Sequence, residues 1–256
     1  MFELAGLLAR NSDLDSAIEF FLLCEEFARA AGDTTSLMRT EVSLGQALLD
    51  QDKPDQALTK FEQAAKIAEE TADLSASAEA HIGIGLSLFN LERAPESLKH
   101  FDLAAAAAAS SNNTVLSMEA ANHSAHALLT LGKTNEAFEA ILNAVSLSSS
   151  VDNLYLRTSL LYAMFEICLE KDRWGELLLE LTSALDRVHE TEQFQSLGPL
   201  LVLSAKINSE RGLLHLALHN LEEAAQIFQA LEETERFKEV NEAIEQLRSF
   251  IVDPTD

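Results

Sequence analysis

The chain has 256 residues, 47% hydrophobic and 23% charged, with four prolines, nine glycines and two cysteines, a composition that excludes disorder, collagen and a disulfide-stapled miniprotein. Lys and Arg number 18 against 42 Asp and Glu, a formal charge of −24 shared equally by the two halves, so neither nucleic acid nor an anionic membrane is an expected partner. No apolar run reaches bilayer length, the first residues lack the basic region of a secretory signal, and Cys24 and Cys168 stand too far apart in sequence for a metal cluster or disulfide framework; a soluble cytoplasmic protein is the expectation.

In chain order, helical periodicity predicts a first pair of helices over 2–10 and 14–30, parted at Asn11-Ser12-Asp13. The second of these carries Ala17, Phe21 and Cys24, a small–large–small set at i, i+4 and i+7 on one helical face. After Ala31-Gly32-Asp33-Thr34 the pattern restarts: helices are expected over 35–50 and 54–70, with Gly45 and Leu48 in the first and Ala57, Phe61 and Ala64 in the second. Pro54 sits where the first helical turn tolerates it. Past Thr71-Ala72-Asp73 come 75–90 and 95–110, with Gly85, Leu88, Ser97, Phe101 and Ala104. Then 115–130 and 134–148 carry Ala125, Leu128, Ala137, Ile141 and Ala144. Beyond the break from Ser148 to Asn153, 154–170 and 174–189 meet at Lys171-Asp172-Arg173, with Phe165, Cys168, Leu177, Leu181 and Ala184 in the same columns. After Glu190 to Gln193, 197–210 and 214–232 carry Ala205, Ala217, Leu221 and Ala224. The series has a period of forty residues. Each unit is a helical hairpin that cannot bury its apolar face alone, so stacking six of them predicts an all-α solenoid over 1–233. An amphipathic capping helix follows within 234–251, its apolar face made by Phe237, Val240, Ala243, Ile244, Leu247 and Ile251. No linker interrupts the series, and one elongated domain is expected.

These residues resemble the tetratricopeptide repeat family: Leu44-Gly45, Leu48, Ala57, Phe61 and Ala64 in the second unit, and Ile84-Gly85, Leu88, Ser97, Phe101 and Ala104 in the third. The match spans about nine-tenths of the chain and is similar to long-unit variants, the common unit being about 34 residues. The fifth unit departs from the pattern. Phe165 and Leu177 occupy close-approach columns, which predicts a splayed hairpin, with Trp174 at its turn.

The resemblance implies a right-handed α-α superhelix whose first helices line a concave, partner-binding groove. The candidate groove residues are Val42, Gln46, Ile82, Leu86, Phe89, Asn122, His126, Tyr162, Glu166, Val202 and Lys206, with Arg39, Glu119 and Ser159 more peripheral. The lysine–asparagine set with which some family members clamp a terminal carboxylate is missing. A protein or peptide segment with apolar anchors and basic character fits better. His215 with His219, and His123 with His126, lie within one helical turn of each other but fall short of the three or four ligands that zinc takes. His81, His100 and His189 are isolated in sequence. Gly132-Lys133-Thr134 lacks the preceding strand and glycine of a phosphate loop, Gly83 and Gly85 fall inside a helix, and Cys24 and Cys168 fall in core columns. The expectation is therefore a scaffold or adaptor without enzymatic activity, metal or cofactor. A peptide-responsive regulatory sensor and a repeat protein that self-assembles through its short first hairpin are the alternatives.

Overall fold

Asparagine and aspartate set the helix starts. Asp33, Asp73, Asn113 and Asn153 recur every forty residues, and each side chain accepts a hydrogen bond from the amide three residues on, at Ser36, Ala76, Leu116 and Leu156. These are donors that a helix cannot satisfy internally. The computed structural model describes residues 2–10, 13–148, 151, 153–171, 173–191 and 193–252. Among them are α1 (Phe2–Arg10), α2 (Leu14–Ala31), α3 (Thr34–Asp50), α4 (Pro54–Thr71), α5 (Leu74–Asn90), α6 (Ala94–Ser110), α7 (Thr114–Thr130), α8 (Thr134–Ser148), α9 (Leu154–Lys171), α10 (Trp174–Thr191), α11 (Leu197–Glu210), α12 (Leu214–Ala230) and α13 (Thr234–Val252). The all-α hairpin fold expected from the repeat is the one observed. Several first helices begin one residue earlier than periodicity suggests, because the capping residue itself closes the polar break. A short 3₁₀ turn, Phe194–Ser196, precedes α11 and was not anticipated. The breaks expected at Asn11-Ser12, Ser149-Ser150, Asp172 and Glu192 lie outside the described residues.

Helix ends are equally regular. A residue in the left-handed region follows helix after helix: Gly32, Asp52, Ala72, Glu92, Asn112, Gly132, Gly212 and Glu232. At Gly132 the turn amides return to α7, Lys133 N–H donating to Leu128 O at 2.9 Å. The phosphate-loop look-alike is thus an inter-helix turn.

The chain divides into two compact units, 1–151 and 152–256. In the first, α1 to α8 pack in sequence, each helix against the next; α1, α3, α5 and α7 also pack against one another, whereas the second helices have no comparable mutual contact. The first helices therefore form the tighter, inner layer. In the second unit, α9 to α13 pack in the same sequential manner, with α9 against α11.

The repeated columns form the core. Ala17, Ala57, Ser97, Ala137, Leu177 and Ala217 are buried, as are Phe21, Phe61, Phe101, Ile141, Leu181 and Leu221. Phe61 shows why small residues flank the large one. A Cβ added to Gly45 on α3 would lie 2.8 Å from its ring, and one added to Gly83 on α5 would lie 2.2 Å away. The ring is clamped between two helices that only glycine lets approach so closely. Gly85 against Phe101, and Gly198 against Phe228, repeat the arrangement.

One core expectation is modified. Cys24 is only half-buried and lines an open cleft with Phe2 and Glu3 of α1. In the fifth hairpin, α9 packs against α10. Phe165 and Leu177 fill the space, Trp174 meets Phe165 with ring centroids 6.0 Å apart, and the buried Arg157 bridges the two helices. Its guanidinium donates to Glu180 at 3.0 Å and to Ser183 at 3.1 Å.

Candidate functional site

In the first unit, the inner faces of α3 and α5 and the start of α7 enclose an open cleft of about 670 Å³. Val42, Gln46, Ile82 and Leu86, four of the expected groove residues, line it, one helical turn apart on adjacent helices. Phe61 and Leu116 close the apolar floor, and Glu79 and Glu119 stand at its side. Neither carboxylate hydrogen-bonds or ion-pairs with a described residue. Burial raises the Glu79 carboxyl, with Asp73 adding and Arg39 opposing; burial likewise raises Glu119, and Glu79 adds to it. The cleft thus joins an apolar floor to two partly desolvated carboxylates without an ion-pair partner among the described residues, Arg39 acting on Glu79 only from a distance. Glu79 was missed in the sequence, although Arg39 and Glu119 were assigned to its column.

Phe89, Asn122 and His126 do not line this cleft. Phe89 is half-buried on the last turn of α5, and His126 is exposed on α7. Asn122 has a buried Oδ1 without a hydrogen-bond partner. Beside it, His123 stacks on Phe101 at 5.7 Å. Burial, with His126 adding, pushes the His123 imidazole down to about 4.

Tyr162, Val202 and Lys206 line a second cleft, of about 510 Å³, inside the second unit, together with Leu221, Val240, Leu247 and Phe250. The Tyr162 hydroxyl donates to Pro199 O at 3.0 Å. Lys206 Nζ lies 5.3 Å above its ring centroid, a cation–π geometry. Burial pushes the phenol up to about 12. Glu166 is exposed one turn further along α9 and does not line the cleft.

Between the two layers of the first unit lies a charged cluster that sequence reasoning missed. Glu41 on α3, with no exposed side-chain surface, receives Arg29 at 2.9 Å and Lys60 at 3.2 Å, and Lys60 also meets Glu25 at 2.6 Å. Burial holds the Glu41 carboxyl above the usual range. At Glu25 burial acts in the same direction, but Lys60 and Arg29 outweigh it and keep that carboxyl low. Lys60 and Glu41 are 19 residues apart on different helices, so only the rotation of the hairpin about its axes brings them together.

Among the described residues no group of three or more His, Cys, Asp or Glu is placed to hold a metal ion, and no helix is long and apolar enough to cross a membrane. Both cysteines are free; burial, with Glu176 adding, pushes the Cys168 thiol up to about 11.

Residues 42–114 match the tetratricopeptide repeat family model. No curated protein is close enough in sequence to count as a match. Among solved structures, the chain is similar to a Rap protein complexed with competence and sporulation factor (14% identity, 98% of this chain and 74% of that one, TM-score 0.64). It is also similar to the apo form of the quorum sensor NprR from B. thuringiensis (15% identity, 97% and 75%, TM-score 0.65). A third likeness is to aspartyl phosphate phosphatase F from Bacillus subtilis (12% identity, 93% and 67%, TM-score 0.64). The last of these corrects one expectation. Absence of enzymatic activity was expected because the histidine, glycine and cysteine motifs fell short of catalytic arrangements, yet a protein of this fold is named a phosphatase, so that expectation does not stand. The repeat columns, the sequential hairpin packing and these likenesses agree on one conclusion, that the chain has a tetratricopeptide-like all-α hairpin solenoid fold.

Proposed function

We propose that the protein is a peptide-responsive regulator whose first unit binds a short segment in the cleft between α3, α5 and α7. The observation that carries this reading is the placing of Glu79 and Glu119, neither in an ion pair with a described residue, beside the apolar floor of Val42, Ile82 and Leu86. A peptide with an apolar anchor followed by Lys or Arg would fill the floor and supply the missing cation. The net charge of −24 would steer such a ligand inward, more weakly as salt rises. A quorum sensor and a factor-bound Rap protein of the same fold favour the sensor over a general-purpose scaffold. Two free thiols suit the reducing cytoplasm, where we place the protein.

The test uses labelled pentapeptides in which two apolar residues precede Arg, Ala or Glu, titrated by fluorescence anisotropy. The Arg peptide should bind at least tenfold more tightly than the Ala peptide, about 1.4 kcal/mol, and the Glu peptide should bind least. Glu79→Gln combined with Glu119→Gln should remove that order while leaving weak apolar binding. Equal affinity for the Arg and Glu peptides, or no binding from a randomised pentapeptide pool to folded protein, overturns the proposal. X-ray scattering on saturation then separates sensor from scaffold: a changed radius of gyration supports the former, and unchanged dimensions refute it.

A further inference from the structure

The forty-residue repeat places Glu41 and Lys60 of the second hairpin at the same positions as His81 and His100 of the third and Ala121 and Ala140 of the fourth. In the second hairpin the two side chains form an ion pair. In the fourth they are methyl groups, so the fold itself demands no polar pair there. In the third, His81 Nδ1 on α5 faces His100 Nδ1 on α6 at 3.2 Å, with ring centroids 5.3 Å apart. We propose that His81 and His100 are a two-histidine chelate for a first-row divalent transition-metal ion, of the zinc, nickel or copper type, an open site in which water supplies the other ligands and not a closed site of three or four side chains.

Three features of the site support this. With nitrogen–metal bonds of about 2.0–2.1 Å, two nitrogens 3.2 Å apart subtend an angle of about 100° at the ion, between octahedral and tetrahedral, so their separation suits a chelate. Access is open: His81 lines a cleft of about 600 Å³ between α4 and α5, shared with Glu62, Glu69 and Asp73, where water can complete the coordination. Carboxylates stand near enough to offset part of the burial: Glu69 acts on His81, and Glu62 and Glu96 act on His100, against Lys99, with Lys66 also on the cleft wall. Burial lowers the pKa of both imidazoles and so favours their neutral form, and ligation through Nδ1 then requires the remaining ring proton to sit on Nε2.

The experiment is done in a His215→Ala background, because exposed His215 and His219, one turn apart on α12, form a second chelating pair. Zinc and nickel are titrated separately at neutral pH by calorimetry and by the metal-induced rise in melting temperature. One ion per chain is expected, with affinity falling at least tenfold in His81→Asn and again in His100→Asn. The double variant His81→Ala/His100→Ala copies the residues of the next hairpin, should therefore fold, and should lose both the heat of binding and the thermal shift. Nickel should bind more tightly than zinc, following the general affinity order of first-row ions. Absence of binding at millimolar metal, or binding untouched by the double variant, overturns the proposal and leaves an imidazole–imidazole hydrogen bond only.

Discussion

Gly83→Ala sets local propensity against packing. Inside a helix, alanine is favoured over glycine by about 1 kcal/mol, so α5 considered alone would gain stability. In the folded protein the added methyl would lie 2.2 Å from Phe61 Cδ1 and 2.3 Å from Cε1, where carbon contacts of about 3.5–4.0 Å are normal. The ring cannot retreat: on its other side the space at Gly45 is already too tight for a Cβ, at 2.8 Å, and Phe61 is only 2% exposed. Either α5 moves away from α4 by more than an ångström, or Phe61 leaves its site and forfeits about 1.5–3 kcal/mol of burial. Overpacking of this kind costs about 1–3 kcal/mol, so a net loss of roughly 1 kcal/mol is expected after the propensity gain of about 1 kcal/mol. Urea unfolding followed by circular dichroism at 222 nm measures it, compared at equal slope. Gly6→Ala, where nothing lies within 4 Å of the new Cβ, is the control and should gain up to about 1 kcal/mol. Phe61→Leu should relieve part of the Gly83→Ala loss. A Gly83→Ala midpoint equal to or above wild type would refute the clamped-ring account.

Other perturbations test other parts of the structure. His123, pushed down to about 4 when folded, titrates near 6.5 when unfolded. The unfolded chain therefore takes the proton first, and the stability present above about pH 6.5 is lost as pH falls toward 4, by about 3 kcal/mol at most. His123→Leu should flatten that segment of the pH–stability curve, and an unchanged slope would contradict the buried, neutral imidazole. Lys60→Met strips the fully buried Glu41 of one of its two cations. It should cost about 2–4 kcal/mol, with Glu41→Leu added in the same chain restoring most of it; additive losses in the double-mutant cycle would show the pair uncoupled. Ala72 holds a left-handed conformation at φ 53° that costs a side chain about 1–2 kcal/mol. Ala72→Gly should therefore raise the melting temperature by a few degrees, whereas Ala72→Val should lower it.

Local chemistry made the helices legible. Asp33, Asp73 and Asn113 cap, Pro54 and Pro95 start helices, and Gly32, Gly132 and Gly212 end them, each acting on its own few residues. The core columns were legible for a related reason. Forty residues is close to a whole number of helical hairpins, so position 21 must be equivalent to 61 and 101 in whatever structure forms. Equivalence, however, carries no absolute rotation. One residue along a helix turns a side chain by about 100°, and neighbouring columns differ by that amount in what they face. Hence Val42, Gln46, Ile82 and Leu86 share one cleft wall with Glu79, which the column reading passed over, while His126 does not line that cleft. The Glu41–Lys60 ion pair and the His81–His100 contact join residues 19 apart, one on each helix of a hairpin. The sequence determined that those positions repeat and that helices pair; only tertiary packing, by setting the rotation and separation of the paired helices, decided which side chains meet.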